Sequence, residues 1–315
     1  MSEEHISSSH SFHSYAPYLL NEVPESQRLS ELRHKGWENP AGDRFFEQQR
    51  QTADNADKKT ANHFFRMMKE IGHDMQQLTD VFRVNSPYLD KQRILDMCMA
   101  PGGFLGTALR VNPKARAIGF SLTRSEGGHN VLLPKHPTIS VKFIDITLLA
   151  ADMGRLDIPN DHPDAGKFLR HHDKATYREH REASRLALTQ LALGLEHVKL
   201  GGTMIVLLHK VESPHTVQLL YTFTTFASVQ LYNHTRFHAK RSSFYMLATN
   251  IRNDCPDAAV TTQGWKRMWE IATFGTDDMY SQALQHNVPD IDLHIWGIQA
   301  DALARAPFRK NSVSF

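Results

Sequence analysis

The sequence predicts an α/β fold: a mixed sheet with helices on both faces, flanked by helical extensions at either end. Three features predict it. Arg93–Leu109 (RILDMCMAPGGFLGTAL) passes from a short apolar strand through a tight turn into a helix that opens at Gly102–Gly103. Thr203–Leu208 (TMIVLL) is a continuous apolar run, fit for a strand buried on both faces. Amphipathic helical stretches, Phe64–Phe82 and Tyr177–Lys199, alternate with such runs.

A length of 315 residues suits one large domain with extensions, and three regions are expected. These are a polar N-terminal extension (1–42), a central α/β domain (43–252) and a C-terminal helical extension (253–315). With 36 basic against 34 acidic residues the formal charge is +2, which argues against a strongly basic nucleic-acid binder. Cys98 and Cys255 make no disulfide framework, so a reducing, intracellular setting is expected, in cytoplasm or nucleus. No apolar run approaches the ~20 residues that span a bilayer, and no membrane association is expected. The 19 histidines suggest metal, but the spacings do not: His171–His172 and His234–His238 lack a zinc-type partner set. No metal is expected.

In chain order, residues 1–40 are rich in Ser, His and Glu, with one short helix expected near Glu25–His34. From Asp43 to Phe82 apolar residues recur at three- and four-residue steps, and the Phe and Met stripe reads as a face laid on the sheet. The strand Ile94–Met97 follows. Glycines at its turn allow close approach of a ligand and leave the first helical N–H groups open to an anion. Asp96, at the strand end, is placed to hold an ammonium or a ribose hydroxyl.

The run Asp96, Cys98, Ala100, Pro101, Gly102, Gly103, Phe104 (D-x-C-x-A-P-G-G-F) resembles motif I of the FtsJ-like S-adenosylmethionine-dependent methyltransferases, best known for methylating RNA ribose 2′-hydroxyls. The resemblance implies a Rossmann-like class I methyltransferase fold, S-adenosylmethionine as cofactor, and these seven residues as part of its site. It spans roughly Phe64 to Asn250. A family lysine in the helix before motif I falls on Arg66 of Phe65–Ile71 (FRMMKEI), with Lys69 three residues on. Arginine stays protonated and cannot accept a proton, so here the chain departs from the pattern.

Ala117–Leu122 (AIGFSL) reads as the second strand. Where related folds carry an acid for ribose, it offers Ser121 and Thr123, with Glu126 beyond. Ile139–Ile146 (ISVKFIDI) alternates as a third strand. Its Asp145 fits the resemblance's adenine-amino contact, or else caps the following LLAADM. By the resemblance, Gly154–Thr176 should hold the fourth, central strand and its catalytic Asp, yet Pro159 and Pro163 interrupt it and its apolar fragments are two or three residues long. Either the chain is a shortened version of its family, or a short improvised segment fills the gap.

After Tyr177–Lys199 and Gly201–Gly202, the strand Thr203–Leu208 ends in His209–Lys210. A lysine at a strand's carboxyl end points to the crevice where such sheets bind ligands, and Lys210 matches the family's second catalytic lysine. Pro214–Phe226 reads as a helix, Ser228–Tyr232 and Ser243–Asn250 as a hairpin pair, and Arg236–Arg241 as a basic loop. Aligned on Tyr245, Ser243 stands where the family has a catalytic glutamate. Beyond Asn253, Gln263–Phe274 is a helix whose Trp265 and Trp269 dock on the domain or on a partner.

The implied activity is O-methyl transfer from S-adenosylmethionine to an RNA ribose 2′-hydroxyl or a small-molecule hydroxyl, assisted by Lys210. The near-zero net charge and incomplete catalytic set favour a metabolite or an atypical acceptor. The competing expectation is a catalytically inactive cofactor-binding or interaction protein.

Overall fold

Two three-stranded sheets carry the fold of the computed structural model, which describes residues 24–54, 57–86, 91–160, 162, 179–211, 213–238 and 242–286. Helices α1 (Pro24–Trp37), α2 (Pro40–Asp54) and α3 (Lys58–Thr79) precede the first sheet. That sheet holds β1 (Arg93–Asp96), β2 (Arg116–Ser121) and β3 (Ile139–Phe143), with α4 (Gly103–Val111) crossing from β1 to β2. All three strands are parallel with β2 central, in the register Leu95↔Ile118↔Ser140. Then come α5 (Glu179–His197), β4 (Gly202–His209), α6 (Pro214–Phe226), β5 (Ser228–Tyr232), β6 (Ser243–Ile251), α7 (Pro256–Phe274) and α8 (Asp277–His286). In the second sheet β6 is central and antiparallel to both neighbours, aligning Leu207↔Tyr245↔Tyr232. The expected α/β class is met, and the expected hairpin pair is β5 and β6.

One apolar layer joins the sheets. Ile71 and Met75 of α3 and Ala108 of α4 pack with Ile94 of β1, Ile205 of β4 and Leu247 of β6. On the opposite face Leu195, Leu220 and Phe223 of α5 and α6 cover Met204 and Met246 of the second sheet. Each such fully buried side chain contributes about 1.5–3 kcal/mol relative to exposure. The α7 helix starts earlier than the expected Gln263, because Pro256 occupies a first-turn position that needs no N–H. It docks on the domain: Trp269 is fully buried beside Ala192 and Leu193 of α5, and its indole N–H donates to Thr147 O at 3.1 Å.

The run Thr203–Leu208 is not buried on both faces as the sequence suggests. Among the described residues β4 is a sheet edge, and its Leu207 is 48% exposed. The central strand sought in Gly154–Thr176 is a question for residues 161 and 163–176, which lie outside the described residues; 154–160 form no strand. His171–His172, residues 239–241 of the basic loop, the first 23 residues and everything from 287 on also lie outside them. No described helix is long and apolar enough to cross a membrane.

Arg185 of α5 fixes the loop that follows β3. It has no exposed surface; its Nε donates to Thr273 Oγ1 at 3.1 Å, Nη1 to Glu182 Oε2 at 3.0 Å and Nη2 to Thr147 O at 3.3 Å. Arg185→Met removes these three bonds from the buried face of α5, although Thr147 O keeps the Trp269 indole N–H and Glu182 keeps water. Unfolding stability in urea is expected to fall by about 2–4 kcal/mol. A loss within measurement error contradicts the role given to these bonds.

Candidate functional site

Because β1, β2 and β3 are parallel, their carboxyl ends share one edge, the edge where open α/β sheets bind ligands. Asp96 closes β1, Ser121 closes β2, and Asp145 follows β3 by two residues. The turn 97–102 leads from Asp96 into α4, whose N-cap is Gly102 at φ +104°, in the left-handed region that favours glycine. Gly102 has no side chain to accept from the first turn, so those N–H groups are left to other acceptors.

The glycine pair is closed over by the protein itself. A Cβ on Gly103 would lie 2.5 Å from Met68 Cβ, 2.8 Å from Phe65 O and 3.0 Å from Lys69 N. The close approach that glycine permits is therefore used by the α3 backbone, not by an external ligand as the sequence suggests. Gly72 of α3 meets Thr107 of α4 in the same crossing, where a Cβ would sit 3.0 Å from Thr107 Oγ1. Beside Gly102, Leu133 would be 3.0 Å from an added Cβ, and Leu132 N–H donates to Pro101 O at 2.9 Å. The accessible part of the turn is thus its first half, from Asp96 to Cys98, with Ala100 half-buried beyond the buried Met99.

Asp96 is the most perturbed acid there. Its Oδ1 accepts the Cys98 N–H at 3.3 Å, but loss of water dominates and pushes its pKa up to about 6. No cation pairs with it among the described residues. The Cys98 thiol is pushed up to about 11, first by lost hydration and then by the Asp96 and Asp145 carboxylates. It stays protonated at neutral pH and accepts from Gln190 Nε2 at 3.1 Å. Ser121 is 8% exposed and its hydroxyl donates to Leu122 O at 3.3 Å. Of the two roles open to Asp145, the cap is formed: Oδ1 accepts from Thr147 N at 2.9 Å and Thr147 Oγ1 at 2.7 Å. Phe104 turns into the core, edge-on to Tyr245 at 5.5 Å.

That contact places the second sheet. Tyr245 pairs with Leu207 of β4, so the end of β4 lies on the same edge as the start of α4. Lys210, exposed and at φ +52°, leaves β4 there, its N–H donating to Ser242 O at 2.9 Å. Of the residues weighed for proton transfer, Arg66 and Lys69 are exposed on α3, and Ser243 is 3% exposed at the start of β6. Arg236 of the basic loop pairs with Glu70 at 3.2 Å.

A cavity of 220 Å³ opens against Ala100 and Pro101. Its other walls were not legible in the sequence: Phe64, Met67 and Met68 of α3, read as core, and Arg124, His129 and Asn130 of the loop after β2. That loop has no periodicity to flag it. Only its approach to the turn brings its polar groups to the site.

No protein family matches the chain, and no curated protein does. Among solved structures it is similar to human N-acetylserotonin methyltransferase in complex with S-adenosylmethionine, at 12% identity and a TM-score of 0.34, over 75% of this chain and 69% of that one. It is similar to a probable spermidine synthase from Corynebacterium glutamicum at 10% identity and a TM-score of 0.36, over 66% and 78%. An O-methyltransferase family protein from Burkholderia thailandensis gives 12% and 0.34, over 70% of each chain.

Proposed function

We propose that this chain transfers a methyl group from S-adenosylmethionine to a hydroxyl oxygen. The observation that carries the reading is Asp96. It is a half-buried carboxyl at the end of the first parallel strand, its ionised form penalised by lost hydration, with one backbone donor and no cation paired with it among the described residues. A positively charged ligand supplies that cation, and the D-x-C-x-A-P-G-G-F run around it resembles a motif of S-adenosylmethionine enzymes. The residues fit such a cofactor at its cationic end.

S-adenosylmethionine, when bound, supplies a methyl carbon activated by a cationic sulfur. The chain's task is to hold the acceptor oxygen in line with that carbon, which is where most of the rate arises. The carbon–sulfur bond would break as the oxygen bonds to carbon, the sulfur leaving as a neutral thioether, and Lys210 on the same edge, as the neutral amine, would take the hydroxyl proton. The family resemblance leaves RNA ribose and small-molecule hydroxyls as acceptors. The formal charge of +2 favours the small molecule. A second reading, a cofactor binder without catalysis, is favoured by Arg66 and Ser243 standing where the resembled enzymes have lysine and glutamate.

Lys210→Ala separates them. Transfer of labelled methyl is expected to fall about 10²-fold or more, with cofactor affinity kept within about two-fold. Transfer at the parent rate removes Lys210 from the chemistry. Cofactor binding with no transfer by the parent chain to RNA or hydroxyl compounds supports the second reading.

A further inference from the structure

We infer that the 220 Å³ cavity against Ala100–Pro101 is the acceptor pocket, shaped for a single-ring aromatic carboxylate bearing a hydroxyl. The inference rests on the methyl-transfer reading and narrows its substrate class.

Size comes first. Cavities of about 150 Å³ take up benzene, and sites for drug-sized ligands start near about 300 Å³. A space of 220 Å³ holds one ring with small substituents.

The lining decides the chemistry of the ring. Ala61, Phe64, Met67 and Met68 of α3 face Ala100 and Pro101, so the walls are apolar. Thioether sulfurs and a phenyl ring make favourable contacts with an aromatic guest. The same walls penalise the zwitterionic arm of an amino acid, whose charges find no partners on them.

The charged group is set by the remaining wall. Arg124, His129 and Asn130 are exposed there, and Arg124 makes no ion pair among the described residues. A guanidinium recognises a carboxylate through two parallel hydrogen bonds, which neither a phenol nor an uncharged ring returns. The turn that lines the cavity is the one that carries Asp96. Asp96, the proposed contact for the cofactor's cationic end, stands four residues before Ala100 in that turn.

The test uses the full chain with ¹³C-labelled methionine methyls, titrated with 4-hydroxybenzoate, phenol and uridine 5′-monophosphate. Substitution of Met67 and Met68 by Leu identifies their signals. Saturable shifts of both methyls are expected with 4-hydroxybenzoate, and about tenfold weaker binding with phenol. Arg124→Gln, at an exposed position, is expected to erase that tenfold preference without changing phenol binding. Ala61→Leu, which fills the cavity with a good helix former, is expected to abolish both, its folding checked by circular dichroism. Absent shifts, an unchanged preference in Arg124→Gln, or tighter binding of the nucleotide overturns the pocket. A parallel calorimetric titration with S-adenosylmethionine separates the two readings. Cofactor binding without ring binding overturns the pocket alone. Ring binding without cofactor binding overturns the methyl-transfer reading and the acceptor role with it.

Discussion

Asp96→Asn is expected to abolish S-adenosylmethionine binding and, in the ligand-free chain, to raise stability above about pH 6. Both effects follow from one carboxyl. Its pKa is 3.8 when unfolded and about 6 in the fold, because burial penalises the charge. A raised acid pKa means that the folded chain holds the proton more tightly than the unfolded one. Stability from this group is therefore full below pH 3.8, falls as pH rises through the window, and stays low above about 6. The neutral amide has no such loss. At about pH 8 the variant should gain about 1–2 kcal/mol, allowing for the partial exposure of Asp96. The ionised form that costs stability is also the form that holds a cation, so removing it removes the ligand. Urea unfolding and calorimetry of parent and variant at about pH 5 and 8 test both. A variant that binds cofactor as the parent does, or that gains nothing at the higher pH, refutes the assignment.

Gly103→Val is expected to cost about 3 kcal/mol or more. The added Cβ meets Met68 Cβ at 2.5 Å, Phe65 O at 2.8 Å and Lys69 N at 3.0 Å, and two of these are backbone atoms that no rotamer change moves aside. Helix α3 must then withdraw from α4, opening the layer that joins the two sheets. Gly264→Ala in α7 is the control: nothing lies within 4 Å of its added Cβ, so the change should stabilise by about 0.5–1 kcal/mol through helix propensity. Thermal unfolding of the two variants, moving in opposite directions, bears out the packing account. A tolerated valine at Gly103 would falsify it.

These two positions also mark how far local sequence reaches. The strand, turn and helix around Gly102–Gly103, the Pro214–Phe226 helix and the closing strand pair were legible because periodicity and turn chemistry are local. Gly103 announced a close approach, but what approaches it is a helix some thirty-five residues earlier, roughly the separation of Met68 from Gly103. The burial of Thr203–Leu208 depends on a neighbouring strand that the run itself does not encode. Asp145 carried two possible roles, and its bond to Thr147, two residues on, formed locally. Arg124, His129 and Asn130 stand in a loop whose contribution to the site exists only after the sheet edge assembles.

The most direct test is a calorimetric titration of the unaltered chain with S-adenosylmethionine, repeated across pH. Saturable one-site heat, with affinity climbing as pH rises through about 6, is the predicted result. A folded chain that takes up no ligand at millimolar concentration contradicts the account.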